Sequence, residues 1–326
     1  MSRNGKIRIA IWGLGSHARR NLLPAIDRSQ RVDLVALCTR DEGTLGEVAE
    51  LTGATPYRDV DLLLSAPDVD AVYIAAPTGV HARFAMAVLE AGKHVWCEKP
   101  MTGSYEDTLE ILHAAERAGL VALESDMFLH HPQFEELHRL VRSEEVGRPI
   151  SVTARFGFPH LPATDFRYSK DLGGGALLDA GFYPVAAAVG LIGSGLRLVG
   201  ATMTSDDSRD VDTGGTALVA SGDQVALLDW GFGRSYRNEI EVWCEGGTIN
   251  VERAFSKPAN LDTSIVVMPQ SGDIRTIDVS SADQFARMFD TFAATTLDIE
   301  SFDATNTLER ARLLGEIRRV NSRGSR

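Results

Sequence analysis

Hydrophobic residues in the first part of the chain form short runs separated by amphipathic stretches. The runs KIRIAIWG, RVDLVALCT, AVYIAAPT, KHVWCEKP and LVALESD are rich in aliphatic residues and have the length of buried strands. The stretches between them repeat apolar residues at helical spacing. Regular alternation of strand and helix is typical of a doubly wound parallel sheet. We therefore predict an α/β domain over residues 1–126.

The pattern changes after residue 126. Runs such as EIEVWC and TINVER alternate apolar and polar residues, as strands do in an antiparallel sheet with one packed and one open face. Helical patterns precede and follow these runs, in HPQFEELHRLVRSEEVG, SADQFARMFDTFAATTLD and ATNTLERARLLGEIRRVN. Residues 127–326 are therefore predicted to form an α+β domain with an open, mainly antiparallel sheet.

Composition limits the possible partners. The 326 residues carry a formal net charge of −12, which argues against binding nucleic acid or an anionic membrane. The N-terminus lacks the apolar core of a signal peptide, and the most apolar later segment is interrupted by Asp179 and Pro184, so we predict a cytoplasmic protein. The three cysteines lack metal-site spacing, and no metal is expected.

The segment GLGSHARR carries the first chemical signal. Gly13 and Gly15 follow a strand and open a helix, with Ala18 at the third position of a G-x-G-x-x-G pattern. Backbone N–H groups from Gly13 through Leu14, Gly15, Ser16 and His17 are therefore predicted to receive a pyrophosphate at the helix N-terminus.

The end of the second strand indicates which dinucleotide binds. NAD sites usually place an acidic residue there for the ribose 2′-hydroxyl, whereas a 2′-phosphate requires a cation and small donors. Here the strand ends in Cys38, Thr39 and Arg40, which favours NADP(H) and leaves NAD(H) as the weaker choice. The alternative is that Arg40 is a solvated loop residue and Asp41 binds the ribose.

The segment EKP at residues 98–100 places a lysine at the exit of a buried strand. Pro100 has no N–H and restricts Lys99 to extended backbone geometry, so the lysine is expected to point in a fixed direction. A charged side chain held in this way requires a partner. The alternative is a surface ion pair with Glu98.

Three segments together carry a family resemblance: GLGSHARR…LLPAI, AAPTGVHARFAMAVLEAGKHVWCEKP and DLGGGALLDAGFYPV. The chain resembles the glucose-fructose oxidoreductase, inositol dehydrogenase and rhizopine-catabolism (Gfo/Idh/MocA) family over its whole length. The resemblance implies a Rossmann domain, a second domain whose open sheet makes a homodimer or homotetramer, and hydride transfer between NAD(P) and a sugar-like alcohol or ketone.

The resemblance also implies roles for residues near the cofactor. Ala76, Pro77 and Thr78 are expected to approach it, and His81 is expected to face it. Glu98, Lys99 and Pro100 are expected to bind the cofactor, with Lys99 beside the nicotinamide and the substrate. The alternative for His81 is a structural residue in the first turn of an ordinary helix.

The proton-transfer pair departs from the common family pattern. Many members have aspartate and, four residues later, histidine; here Asp179 is followed at that spacing by Tyr183. Residues four apart share a helix face, and Pro184 is expected to kink this helix. The tyrosine resembles the branch that contains glucose-fructose oxidoreductase, dimeric dihydrodiol dehydrogenases and sugar-nucleotide C-3 ketoreductases.

This pattern predicts a mechanism. A ketone that accepts hydride becomes an alkoxide, and Tyr183 is the expected proton donor. A phenol with a reference pKa of about 10 is a weak acid near neutrality, and a nearby ammonium favours its ionised form, which is the role expected of Lys99. Asp179 would orient a substrate hydroxyl or hold the lysine. The alternatives are a core position for Tyr183 and a structural one for Asp179.

Two further residues are candidates for substrate binding. Arg167 would hold a substrate phosphate or pair with a surface carboxylate, and we leave both open. His130 and His131 are adjacent and do not have the spacing of metal ligands, and His131 is expected to line the site.

The sequence thus predicts an NADP-dependent ketoreductase that acts on a sugar or sugar nucleotide. Two alternatives remain, namely an aldose or trans-dihydrodiol dehydrogenase that works in the oxidative direction, and a sensor that binds NADP without turnover.

Overall fold

The computed structural model describes residues 5–143, 145–206 and 210–324 of the chain. These residues form two compact units. The first unit comprises Met1–Thr102, Glu106–Met127 and Phe285–Ala304, and the second comprises Gly103–Tyr105, Phe128–Gln284 and Thr305–Arg326.

The first unit is built on a parallel sheet of six strands in the order β3-β2-β1-β4-β5-β6. The strands are β1 Ile7–Trp12, β2 Val32–Cys38, β3 Thr55–Tyr57, β4 Ala71–Ile74, β5 His94–Glu98 and β6 Ala122–Ser125. The helices are α1 Leu23–Arg28, α2 Glu42–Thr52, α3 Val60–Leu64, α4 His81–Glu90 and α5 Tyr105–Ala118. This strand order is that of a dinucleotide-binding Rossmann fold, whose order reverses between β1 and β4. The predicted doubly wound sheet is confirmed.

The second unit contains an eight-stranded sheet in the order β14-β13-β12-β11-β7-β10-β9-β8. Only β7 and β10 pair in parallel among the pairings described, so the prediction of a mainly antiparallel sheet is confirmed. The strands are β7 Pro149–Phe158, β8 Arg197–Asp206, β9 Val211–Ser221, β10 Gln224–Phe232, β11 Arg237–Cys244, β12 Gly247–Glu252, β13 Thr263–Pro269 and β14 Arg275–Val279.

Four more helices follow the Rossmann strands: α6 Pro132–Ser143, α7 Phe182–Ile192, α8 Gln284–Leu297 and α9 Thr305–Gly324. Short 3₁₀ turns lie at Thr78–Val80, Met127–His130, Phe166–Tyr168, Lys170–Leu172 and Ile299–Ser301. Helices α6, α7 and α9 pack on strands of the second sheet. Alternate residues of β7 and β11, such as Val152, Ala154, Ile240 and Val242, are buried beneath these helices.

Helix α8 amends the expected division at residue 126/127. Its segment, Phe285–Ala304, belongs to the first unit although it lies late in the chain. The indole N–H of Trp96 donates to Oγ1 of Thr296 at 3.1 Å, and Oγ of Ser29 donates to Oδ1 of Asp290 at 2.6 Å. These contacts depend on packing between distant segments, so the local hydrophobic pattern does not reveal them.

The strands β3 and β14 are absent from the hydrophobic pattern. Most of their residues are exposed, so they form no apolar run. Both lie at sheet edges.

Two helices begin with a π-helical turn followed by a proline. The turn Ala18–Leu22 leads into α1, with Pro24 in its first turn, and the turn Leu177–Gly181 leads into α7, with Pro184 in its first turn. Proline lacks the N–H that would close a regular α-helical turn, and a π-turn widens the helix at that point. The irregularity expected from Pro184 is thus a widened turn that contains Asp179.

The segment Lys170–Ile192 is long and apolar enough to cross a membrane by composition alone. In the structure, 83% of its most apolar window is buried inside the protein. It is therefore packed as a core helix of the second unit.

Candidate active site

The glycine turn after β1 has the backbone shape that a dinucleotide site requires. Gly13 has φ +111°, and a Cβ built on it would lie 2.6 Å from the carbonyl oxygen of Ala75. Its N–H donates to the carbonyl of Cys38 at 2.9 Å. Leu14 is buried, and a Cβ built on Gly15 would meet no atom within 4 Å.

The helical segment that continues through the π-turn into α1 begins at Ser16, directly after this turn. A helix N-terminus presents N–H groups and a positive dipole end to an anion. The open space at Gly15 lets a phosphate approach the backbone, so the turn fits the pyrophosphate of a nicotinamide dinucleotide.

The end of β2 favours Arg40 over Asp41 as the residue for the ribose. Oδ1 of Asp41 accepts a hydrogen bond from the N–H of Thr44 at 3.0 Å and caps α2. This bond from Thr44 lowers the pKa of Asp41. Thr39 and the exposed Arg40 directly follow the strand. The Asp41 carboxylate is thus occupied in capping α2, whereas Arg40 is exposed at the end of the strand.

The structure corrects the expectation that His81 faces the cofactor. His81 is buried, with 1% of its surface exposed. Its Nε2 lies 2.8 Å from the carbonyl oxygen of Ala76, and its Nδ1 lies 3.0 Å from that of Pro100. Burial lowers the pKa of His81. Both ring nitrogens lie beside backbone carbonyl oxygens, and the neutral ring donates its single N–H to one of them. His81 therefore lies between the loop after β4, which includes Pro77 and Thr78, and the loop after β5.

Glu98 lies in a polar network at the carboxyl end of β5. Its Oε1 accepts from the hydroxyl of Tyr73 at 2.7 Å and lies 2.9 Å from Nε2 of His17. Nδ2 of Asn21 lies 2.9 Å from the other ring nitrogen of His17. Burial raises the pKa of Glu98, but His17, Tyr73 and Lys99 outweigh this and bring it to about 2.

In this network Glu98 and His17 are hydrogen-bond partners of each other. The network connects the helical segment after the Gly13 turn to the strand end that carries Lys99. Lys99 itself is half-buried, and the Lys99–Pro100 peptide bond is cis. The sequence prediction did not include Tyr73 or Asn21, although a tyrosine inside the buried run AVYI is a signal that its hydroxyl has a polar partner.

In the second unit, Asp179 is held by Arg167. Nε of Arg167 donates to Oδ2 of Asp179 at 2.7 Å, and its guanidinium also lies 3.2 Å from Oδ1 of Asp165. Burial lowers the pKa of Arg167, but the two carboxylates raise it by more. Of the two roles left open for Arg167, the geometry supports pairing with carboxylates. Asp165 was not predicted from the sequence.

Tyr183 stands one helical turn after Asp179 and is 7% exposed. Its ring lies 4.7 Å from that of Phe156 and 5.6 Å from that of Phe255, measured between centroids. Phe128 and Phe182 complete the set of neighbouring rings, each at 5.9 Å. The ring is thus fixed by aromatic packing, which leaves its hydroxyl with little freedom of position.

His131 does not line a surface, contrary to expectation. It is 0% exposed, and its Nδ1 accepts from the N–H of Gln133 at 3.0 Å. Gln133 lies in the first turn of α6, so this bond satisfies one of the N–H groups that a helix start leaves unpaired. Among the described residues, no cluster of His, Cys, Asp or Glu side chains forms a candidate metal site.

Comparison with known proteins identifies the family. A model described as "Oxidoreductase family, NAD-binding Rossmann fold" matches residues 7–125, and one described as "GFO/IDH/MocA C-terminal domain" matches residues 134–250. The chain belongs to the GFO/IDH/MocA oxidoreductase family. The resemblance predicted from the sequence is therefore confirmed, and so are the fold class and the assignment as an oxidoreductase.

Individual relatives within this family are similar over most of their length. A dTDP-3,4-didehydro-2,6-dideoxy-alpha-D-glucose 3-reductase from Saccharopolyspora spinosa is 36% identical over 288 residues, 88% of this chain and 86% of that one. A 3-ketoreductase from Actinomadura kijaniata, solved with NADP and TDP-benzene, superposes with a TM-score of 0.92 at 32% identity and covers 97% of this chain and 98% of its own.

A relative with a different activity is also similar. An NADP⁺-dependent D-xylose 1-dehydrogenase from Haloferax volcanii is 38% identical over 208 residues, 62% of each chain. The family resemblance therefore includes both reductases of sugar nucleotides and dehydrogenases of free sugars.

Proposed function

We propose that this chain is an NADPH-dependent ketoreductase that reduces a carbonyl at C-3 of a keto-sugar carried on a nucleoside diphosphate. The observation that supports this most is the near-complete superposition on the 3-ketoreductase solved with NADP and TDP-benzene. Two further structures of that reductase carry a substituted tyrosine and a substituted lysine. Those two residues lie the same number of positions apart as Lys99 and Tyr183.

Residues of the first unit bind NADP(H). The turn from Gly13 to His17 binds the pyrophosphate, and Thr39 and Arg40 bind the 2′-phosphate of NADP(H). Bound NADPH supplies a hydride to the carbonyl carbon. Ala76, Pro77 and Thr78 support the cofactor from the loop after β4.

Proton transfer falls to Tyr183, assisted by Lys99. The hydroxyl of Tyr183 donates a proton to the substrate oxygen as negative charge develops on it. The ammonium of Lys99 stabilises the phenolate that Tyr183 becomes. It also donates a hydrogen bond to the substrate oxygen. Asp179, held by Arg167, takes the other role expected of it and holds the ammonium of Lys99, since a 3,4-diketo-2,6-dideoxy sugar has no hydroxyl beside the reacting carbonyl.

The test is turnover of dTDP-3,4-didehydro-2,6-dideoxyglucose with NADPH, followed by loss of the nicotinamide absorbance. We expect Tyr183→Phe and Lys99→Ala to lower kcat by about 10²–10⁴-fold while the Kd for NADPH changes little. Two matched controls should retain the wild-type rate. These are Tyr236→Phe, at an exposed tyrosine, and Lys6→Ala, which lies before the first residue of β1, at the end of that strand away from the Gly13 turn. Full activity in both site variants would refute the catalytic assignment.

A second function has specific support. The similarity to the D-xylose dehydrogenase favours oxidation of a free sugar by the same residues acting in reverse. Reduction of NADP⁺ with D-xylose, without turnover of the nucleotide-linked ketone, would favour this alternative. Tight NADPH binding with turnover of neither sugar would favour a sensor.

We also propose that the open face of the second sheet joins copies of this chain. Trp243 is 60% exposed and Leu227 45% exposed, and both project from the face opposite the buried residues Val242 and Leu228. Exposed apolar side chains on a sheet face mark an interface. Light scattering should give a dimer or tetramer, and Trp243→Glu should shift it to a monomer; a monomeric wild type would contradict the proposal.

A cytoplasmic location is proposed as well. The free thiols of Cys38, Cys97 and Cys244 are buried, and a reducing compartment keeps such thiols intact.

A further inference from the structure

A carboxylate on β9 lies at the start of the helix that carries Asp179 and Tyr183. Asp212 is the second residue of β9. The pairing of β9 with β8 shifts by one residue at this point: Thr204 pairs with Gly214, and Ser205 pairs with Asp212, so Thr213 is an extra residue. Such a bulge changes the face to which the next side chain points.

The bulge turns Asp212 toward the helix. In unbroken alternation Asp212 would share the open face with Thr216, whose hydroxyl donates to Asp229. Instead, Oδ2 of Asp212 accepts a hydrogen bond from the N–H of Leu177 at 2.7 Å. The helix start thus receives its capping carboxylate from a strand 35 residues later.

The glycine loop before the helix makes room for this carboxylate. Gly175 has φ +114°, and a Cβ at that position would collide with Oδ1 of Asp212. Burial raises the pKa of this carboxyl group, and the nearby indole of Trp230 opposes that shift in part. The last glycine of the sequence motif GGG is therefore shaped around a side chain from β9.

The same loop is bonded to the residue that holds Asp179. The N–H of Gly175 donates to the carbonyl of Arg167 at 2.9 Å, and the N–H of Asp179 lies 3.3 Å from the carbonyl of Gly175. Asp212, the glycine loop, Arg167 and Asp179 therefore form one continuous frame. A displacement of the first helical turn would move both Asp179 and its ion pair.

We propose that Asp212 is a positioning residue that fixes the first turn of the helix carrying Asp179 and Tyr183. The inference rests on the proposed function, since it assigns those two residues to the reaction. Asp212 contacts backbone and acts through it. Its carboxylate suits this place because helix N-terminal N–H groups require acceptors and favour negative charge.

The experiment compares Asp212→Ala, Asp212→Asn and a matched control. Asparagine retains an acceptor for the N–H of Leu177, and alanine removes it. The control is Asp59→Ala, which removes the same kind of cap, on the N–H of Asp61, from α3 in the first unit. For each variant we measure amide hydrogen exchange, the Kd for NADPH, and kcat and KM for the keto-sugar nucleotide.

We expect Asp212→Ala to accelerate exchange over residues 175–183 by about 10-fold or more, as loss of a charge-assisted bond predicts, and to leave α9 unchanged. Its kcat should fall by about 10–100-fold, with the Kd for NADPH unchanged. Asp212→Asn should recover most of the slow exchange and most of the kcat, and Asp59→Ala should retain the wild-type kcat.

Several outcomes would overturn the inference. These are exchange over residues 175–183 that is no faster in Asp212→Ala, a kcat within about 2-fold of wild type despite faster exchange, or an equal loss of kcat in Asp59→Ala. If the wild type turns over no sugar, the proposed function fails, and the exchange measurement still decides whether Asp212 holds the helix.

Discussion

The two units hold their candidate residues in different ways. In the first unit backbone supplies much of the structure around the candidate residues, through the turn at Gly13 and the carbonyl groups beside His81, and the side chains of Glu98 and His17 add one polar network. In the second unit the candidate side chains are held by other side chains. Arg167 holds Asp179, and Phe156 and Phe255 pack on Tyr183.

The difference concerns which interactions are local in sequence. A glycine turn between a strand and a helix needs only neighbouring residues, so a short motif specifies it. A side chain held by a partner from another strand depends on the register of a whole sheet. The two capping carboxylates show the same contrast: Asp41 caps a helix that starts at the next residue, and Asp212 caps one that starts far upstream.

The largest expected effect is a difference in stability between substitutions at Gly13 and Gly15 in the first unit. Gly13→Ala places a Cβ 2.6 Å from the carbonyl of Ala75 in a backbone region that only glycine tolerates, so we expect a loss of roughly 3 kcal/mol or more in stability. Gly15→Ala meets open space and should change stability by less than about 1 kcal/mol. Urea unfolding of the two variants measures this difference.

The affinity for NADPH distinguishes the role of Gly15 from that of Gly13. Gly15→Ala should remain folded yet bind NADPH at least about 10-fold more weakly, because its methyl group would occupy the space through which the pyrophosphate approaches the backbone. A Gly15→Ala variant with wild-type affinity would show that the cofactor does not use this turn.

The next effect tests the exposed side chain at the end of β2. Arg40→Ala should weaken NADPH binding by about 10–100-fold, because a charge-assisted contact with the 2′-phosphate is lost, and should leave NADH binding nearly unchanged. Fluorescence titration with both nucleotides gives the ratio. Equal losses for the two would refute the role of Arg40, and Arg40→Lys should recover part of the preference.

The sequence predicted the elements whose signal is local. The buried runs predicted the strands that dominate the first sheet, and alternation predicted the open second sheet. The motif around Gly13 and the EKP segment placed the candidate cofactor residues at strand ends, where the structure has them. The helix with Asp179 and Tyr183 was also predicted, because apolar residues surround both positions.

Two histidines show what the sequence did not reveal. The resemblance implied that His81 faces the cofactor, and His131 was expected to line the site; both are buried beside backbone partners. Their partners are set by the approach of loops that are separate in sequence, as for His81 and Pro100. Asp212 was not among the residues predicted from the sequence, because a single extra residue, Thr213, reverses the face expected from alternation.

The smallest expected effect compares the two capping carboxylates through pH. Burial raises the pKa of Asp212 to about 6, despite its hydrogen bonds from backbone N–H groups, whereas the exposed Asp41 has a lowered pKa. A raised carboxyl pKa means that the folded protein binds the proton more tightly than the unfolded chain. Asp212 therefore removes stability as the pH rises from about 4 to 6, and Asp41 adds stability as the pH rises through the acid range.

Substitution by asparagine keeps the acceptor and removes the titration. Relative to wild type, Asp212→Asn should gain about 2 kcal/mol in unfolding free energy as the pH rises from 4 to 7, and Asp41→Asn should lose stability as the pH rises toward 4 from more acidic values. Urea unfolding at about pH 2.5, 4 and 7 measures each difference. The same sign in both variants would mean that the carboxylate on β9 does not have the buried environment that sets it apart from the cap on α2.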